Sequence, residues 1–195
     1  MLQQIIETER LEIRPFELAD LPIIHHILEQ TFGSGDKMDD PAALQERRSW
    51  LEWSILNQKW LPQLHQPPYG DRAIVLKSTR TLIGSVGYVP LLDVYEQIPE
   101  LSNGLSSGDF ATTEFGLFWV IDPTHQRYGY ATEAVRAMIA NAFKELRLKR
   151  VIATTEYANT ASQRVMQKVG MKITRNPLPE PTWLQIVGFI DNNQN

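Results

Sequence analysis

The tightest constraint on this chain is a junction. The run Gln126, Arg127, Tyr128, Gly129, Tyr130, Ala131 lies between a nearly unbroken apolar stretch, residues 113–121, and a long amphipathic one that begins at Thr132. The apolar stretch, rich in Phe, Val and Ile after Glu114, reads as a central strand covered on both faces. From Thr132 onward, Ala134, Val135, Met138, Ile139, Ala142, Phe143 and Leu146 share one face, and Glu133, Arg136, Lys144, Glu145 and Arg147 take the other. That is the 3.6-residue period of a surface helix. A strand that turns into a helix through a glycine leaves the first helical N–H groups unpaired at the positive end of the helix dipole, and Gly129 lets the main chain approach an anion closely. The junction therefore reads as a diphosphate cradle that needs no cationic side chain, or more simply as a tight turn.

Upstream, residues 8–17 alternate Leu11 and Ile13 with Glu12 and Arg14, the period of a half-buried strand. Asp20 stands where a helix cap would, before Ile23, Ile24, Ile27 and Leu28 at helical spacing to about residue 30. Pro41 opens a second helix toward Trp60. Its Trp50, Trp53 and Trp60 suit either the core or a substrate wall. Residues 72–77 and 81–92 read as an antiparallel hairpin, and Gly84 and Gly87 within it mark a bulge or a close backbone neighbour. Residues 93–112, polar around Tyr95 and Ile98, read as a lid or binding loop, or as a partly disordered segment. Residues 149–155 form another strand, and Asn159 opens a short helix that Gly170 closes. Ser162, Val165, Met166 and Val169 share one face of it. Strands at 171–174 and 182–190 complete a hairpin, and 191–195 reads as a frayed tail.

Composition excludes several classes of function. With 195 residues the chain suits one domain, residues 1–195. A net charge of -4 and a pI near 5.6 argue against general nucleic-acid binding. The absence of Cys removes disulfides, thiolate metal sites and a cysteine nucleophile, and suits a reducing compartment. His25, His26, His65 and His125 show no metal-ligand spacing, so no metal is expected. The N-terminal residues lack the basic start and apolar run of a signal peptide, and no stretch approaches the ~20 apolar residues that span a bilayer. The expectation is a cytoplasmic protein with no membrane partner.

The order strand, glycine turn, amphipathic helix, strand and Asn-opened helix resembles the GNAT superfamily of N-acetyltransferases. Residues 116–135 and 159–171 are similar to its RimJ/RimL-like branch, the ribosomal-protein N-terminal acetyltransferases. The likeness is strongest over residues 114–174. Gln126, Gly129 and Ala131 match the family's loop pattern of Gln or Arg, two residues, Gly, one residue, then Gly or Ala. The resemblance implies the GNAT α/β fold, a mixed, mostly antiparallel sheet of six to seven strands flanked by about four helices. It implies that N–H groups of Arg127, Tyr128, Gly129, Tyr130, Ala131 and Thr132 hold the pyrophosphate of acetyl-CoA as co-substrate. It also implies that Val120 and Ile121 pair with the pantetheine and position the acetyl carbonyl.

Asn159 is then a cofactor contact, a helix cap, or both. Ser162 matches the branch's donor to the CoA thiolate, against a plain role as a helix hydroxyl bonded to a carbonyl four residues earlier. Met166 stands where many members carry a tyrosine acid. Glu114, at the mouth of an apolar strand, is the candidate general base through a water, or else a surface residue just outside the strand. About two extra residues lie between it and the loop compared with the branch's pattern. The cations Lys144, Arg147, Lys149 and Arg150 are either a solvated helix end or contacts to the adenosine phosphate. The expected reaction is direct acetyl transfer to a primary amine, a peptide or protein N-terminus or a small-molecule amine. The alternative is a CoA-binding module without catalysis. A kinase-like phosphate loop is disfavoured, since no Lys and Ser/Thr follow the glycine as that loop requires. The reading admits a homodimer without requiring one.

Overall fold

The computed structural model describes residues 5–33, 37–67, 69–92, 98–102 and 113–192. In chain order the elements are β1 (Ile6–Glu7), β2 (Leu11–Arg14), α1 (Leu21–Phe32), α2 (Pro41–Trp60), β3 (Gly70–Leu76), β4 (Thr81–Leu92), α3 (Pro99–Ser102), β5 (Thr113–Ile121), α4 (Tyr130–Lys144), β6 (Arg150–Thr155), α5 (Thr160–Lys168), β7 (Lys172–Arg175) and β8 (Ile186–Asp191). They fall into two compact units, Met1–Tyr88 with Phe118–Asn141, and Val89–Leu117 with Ala142–Asn195. The chain of β4, β5 and α4 contributes to both. Among the described residues the eight strands exceed the expected six to seven by β1, whose two residues are too few to show an alternating pattern. The fold is the expected mixed, mostly antiparallel α/β architecture.

In the first unit, β1, β2, β3 and β4 pair antiparallel in that order. Leu11 and Ile13 of β2 are fully buried while Glu12 and Arg14 are only partly so, as alternation requires. Ile24, Ile27 and Leu28 of α1 and Leu51 of α2 pack on Ala73, Val75, Leu82 and Val120. A bulge between Ile74 and Val75 shifts the register of the hairpin. Pro41 takes the first position of α2, and the Asp40 carboxylate accepts the Ala42 N–H at 2.9 Å.

Two expectations change here. Asp20 does not cap α1 with its side chain. The Arg14 guanidinium grips both of its carboxylate oxygens at 2.8 Å, and the Glu17 N–H donates to it as well; such a bidentate, charge-assisted pair outcompetes a single cap bond. The tryptophans also divide. Trp50 packs edge-on against Phe16 at 5.5 Å beside the core, whereas Trp53 and Trp60 are 53% and 48% exposed. The inward stripe of α2 is Ala43, Leu51 and Ser54, and Trp53 and Trp60, two turns apart, lie off it.

In the second unit, β5 runs parallel to β6, with Gly116 opposite Ile152, and β6, β8 and β7 follow in antiparallel order. Its core joins Ile152, Val187 and Phe189 to Leu184, Ile98 and Leu101. Part of the expected loop at 93–112 is therefore ordered: Ile98 and Leu101 are buried, and Glu100 of α3 accepts from the Thr174 hydroxyl at 2.9 Å. The rest of that expectation, residues 93–97 and 103–112, lies outside the described residues. The final strand starts later than expected because Thr182–Leu184 forms a 3-10 turn. It ends later too, with Asp191 in β8 and the Asn192 N–H bonded to the Lys149 carbonyl at 2.7 Å. Among the described residues no helix is long and apolar enough to cross a membrane.

Candidate active site

The junction is assembled from the end of β5. A Cβ on Gly84 would run into the Val120 carbonyl, so glycine lets β4 close onto β5, and the Asp122 N–H donates to the Ile83 carbonyl at 2.8 Å. Asp122 ends the strand by capping a 3-10 turn, Pro123–His125. Its carboxylate accepts the Thr124 N–H and hydroxyl, each at 2.9 Å, and faces His125 Nδ1 at 3.3 Å. Burial works against its charged form, but these bonds prevail and hold the carboxyl below the usual range. Gln126 Nε2 then reaches back to the Ile121 carbonyl at 3.0 Å. The Gln126 amide thus ties the loop to the strand that feeds it.

Two left-handed residues follow. Arg127 has φ 69° and Gly129 has φ 86°, with Tyr128 between them outside that region. Alternation of this kind curls successive N–H groups into an anion-binding concavity. Helix α4 begins at Tyr130, two residues earlier than the apolar stripe suggests, and the Glu133 N–H closes the first turn on the Gly129 carbonyl at 3.0 Å. Ala131 and Thr132 lie in that turn, where N–H groups lack helical partners. Val120, Ile121 and residues 126–132 therefore form one continuous strand, loop and helix start within the first unit.

Sequence reasoning missed what holds this loop. Arg10 donates through Nη1 to the Tyr128 carbonyl at 3.0 Å and through Nε to Glu133 at 2.7 Å, and its guanidinium lies 4.6 Å from the Tyr130 ring centroid. The Thr8 hydroxyl and the Arg10 N–H also donate to Glu133, at 2.6 and 2.9 Å. Burial disfavours the Glu133 carboxylate, yet these donors outweigh it and hold the group below its ordinary pKa. Residues 123 positions apart meet here, and no local pattern marks them.

The remaining candidates lie in the second unit. Glu114 is buried near the start of β5 and is no lone carboxylate: Arg150 Nε donates to Oε2 at 3.2 Å, and Nη2 pairs closely with Oε1. Arg150, expected at a solvated helix end or on a phosphate, is the first residue of β6 and takes this carboxylate as partner. Asn159 caps α5, its Oδ1 accepting the Ser162 N–H at 3.0 Å. The Ser162 N–H donates to Asn159, and no hydrogen bond of the Ser162 hydroxyl is found among the described residues, so the alternative of a bond back to a carbonyl four residues earlier is not made. Met166 is fully buried, with Sδ 2.9 Å from where a Cβ on Gly188 would sit. Tyr157 spends its hydroxyl on the Asn176 carbonyl at 2.9 Å.

The fold thus combines a mixed, mostly antiparallel sheet, two helices between β2 and β3, and a strand that passes through a capped turn into an amphipathic helix. The Acetyltransferase (GNAT) domain family matches residues 10–172, and the chain belongs to that family: it is an acetyl-CoA-dependent N-acetyltransferase. It is 43% identical over 63 residues to the uncharacterized N-acetyltransferase YnaD of Bacillus subtilis, a stretch covering 32% of this chain and 37% of YnaD. Identity to the uncharacterized protein YkkB of the same organism is 25% over 170 residues, 86% of this chain and 85% of YkkB. The structure of RimL, a ribosomal L7/L12 alpha-N-protein acetyltransferase in complex with coenzyme A, superposes with a TM-score of 0.62 at 13% identity over 95% of each chain, which establishes a shared fold.

Proposed function

We propose that this enzyme moves the acetyl group of acetyl-CoA directly to a primary amine, and that peptide or protein N-termini, or small amines of lowered pKa, are its acceptors. The observation that carries the donor half is the alternation at Arg127 and Gly129 in front of α4. The N–H groups of residues 127–132 cradle the pyrophosphate, a role that suits the helix dipole. The strand end at Val120 and Ile121 takes the pantetheine and aims an N–H at the acetyl oxygen. Attack by the neutral amine on the carbonyl carbon gives a tetrahedral oxyanion, which that N–H stabilises. Collapse breaks the carbon–sulfur bond and releases the CoA thiolate.

Ser162 is the proposed proton donor to that thiolate, its hydroxyl regaining a proton from solvent in the same step. Its unpartnered hydroxyl in the first turn of α5 supports the role, since a helix start favours negative charge. Asn159 fixes that turn. Glu114 is the proposed acceptor of the amine proton through a water. Arg150 fixes the carboxylate's orientation, and an ionised carboxylate offers about four lone-pair sites, which leaves room for a water as well. An α-amine of pKa roughly 7.8 is about a quarter neutral near pH 7.4, whereas a lysine amine near 10.4 costs about 4 kcal/mol to deprotonate. One water-relayed carboxylate suits the first better. RimL, by its name an alpha-N-protein acetyltransferase, points the same way.

The test is thiol release from acetyl-CoA against peptides with varied first residues, polyamines and aminoglycosides, repeated with Glu114→Gln across pH. The expected result is turnover with α-amines, and a Glu114→Gln defect that shrinks as pH rises. Tight CoA binding with no thiol release for any acceptor would reduce the protein to a CoA-binding module. A pH–rate profile unchanged by the substitution would remove Glu114 as base.

A further inference from the structure

We infer that Arg10 is a positioning residue for the coenzyme diphosphate, acting through the Tyr128 carbonyl and the Glu133 carboxylate. The inference rests on the reading of residues 127–132 as the diphosphate site. The peptide joining Tyr128 to Gly129 is trans, so its N–H points opposite to its C=O. Arg10 Nη1 holds that carbonyl at 3.0 Å and thereby turns the Gly129 N–H to the other side of the loop. The same guanidinium neutralises Glu133 through Nε at 2.7 Å and Nη2 at 2.6 Å. An unpaired carboxylate in the first turn of α4 would repel a diphosphate bound at that turn.

The guanidinium also covers the Tyr130 ring, which stacks on Tyr128 at 5.9 Å, so it orders both residues that flank Gly129. A guanidinium fork does these jobs at once; an ammonium on a flexible stem does not. The Arg10 side chain is 42% exposed. Its contacts fall on the loop and the first turn of α4 rather than in the core.

The experiment compares Arg10→Ala, Arg10→Lys and Arg10→Ala/Glu133→Gln with the wild-type chain. Each is measured for CoA affinity, and for turnover of acetyl-CoA against acetyl-pantetheine, a donor without the diphosphate. Arg10→Ala should weaken CoA binding about tenfold, the scale of one lost charge-assisted contact. It should raise KM for acetyl-CoA more than it lowers kcat, and leave acetyl-pantetheine turnover within about twofold. Removing the Glu133 charge as well should restore part of the affinity, and Arg10→Lys should fall in between. Unchanged CoA affinity in a folded Arg10→Ala protein, or equal losses with both donors, would overturn the inference. If Arg10→Ala does not fold, Arg10→Lys carries the same comparison. Failure of the wild-type chain to bind CoA would instead defeat the reading of the loop.

Discussion

Asp71 and Glu133 are carboxylates pushed in opposite directions. Asp71 lies on β3 opposite Gly87, and its Oδ1 has no hydrogen-bond partner among the described residues. Burial raises its pKa from 3.8 to about 6. The folded chain thus holds this proton more tightly than the unfolded one. The stabilisation is complete below about pH 4 and is lost as pH rises through about 6. Asp71→Asn should therefore be more stable than the wild type at pH 8, on the order of 3 kcal/mol, and should gain only about a third of that at pH 4.5. Urea unfolding at the two pH values checks this, and equal effects at both would contradict it. Glu133 has the reverse sign: its pKa is lowered, so its contribution is present at neutral pH and is lost as pH falls below the ordinary carboxylate range. Neither environment was legible in the sequence. Residue type and position marked Glu114 as a candidate, but its partner Arg150 is 36 residues further on and meets it only once β5 lies beside β6.

Elements were more legible than contacts, because periodicity is local and pairing is not. The stripe from Ala134 to Leu146 announced α4, although the helix stops at Lys144 and Arg147 turns left-handed; Pro41 fixed the start of α2, and the apolar run at 113–121 is β5 to the residue. Where an element owes its form to a neighbour, the pattern misled. Thr182 to Leu184 carries strand-like residues yet winds into a turn whose Leu184 fills the core of the second unit. Trp50, Trp53 and Trp60 suited either the core or a substrate wall, and of the three Trp53 and Trp60 lie off the inward stripe of α2. Gly84 is the opposite case, a glycine inside a strand that did signal a close backbone neighbour. Gly84→Ala should destabilise the protein by about 1–3 kcal/mol, as overpacking against an unyielding main chain does. Chemical denaturation measures the loss, and a change below a few tenths of a kcal/mol would mean that β4 and β5 can separate freely.

At the scale of the whole molecule, the sequence places the main strands and helices in order, apart from the two-residue β1 and the short α3, but says little about the acceptor. The matched family spans most of the chain, from residue 10 to 172, and the features proposed for the donor side, loop, strand end and capped helix, fall within it. The candidate substrate wall on α2 and the candidate lid or binding loop at 93–112 carry no pattern that names an acceptor, and much of the latter lies outside the described residues. With no cysteine in the chain, the proposed direct transfer needs no cysteinyl intermediate, and the proposed seat of the donor's diphosphate is the main chain of residues 127–132. Amide hydrogen exchange with and without CoA tests that seat most directly. Exchange at the N–H groups of residues 127–132 should slow on adding CoA and stay unchanged on adding pantetheine, which lacks the diphosphate. Protection by CoA that appears elsewhere while residues 127–132 exchange as before would contradict it.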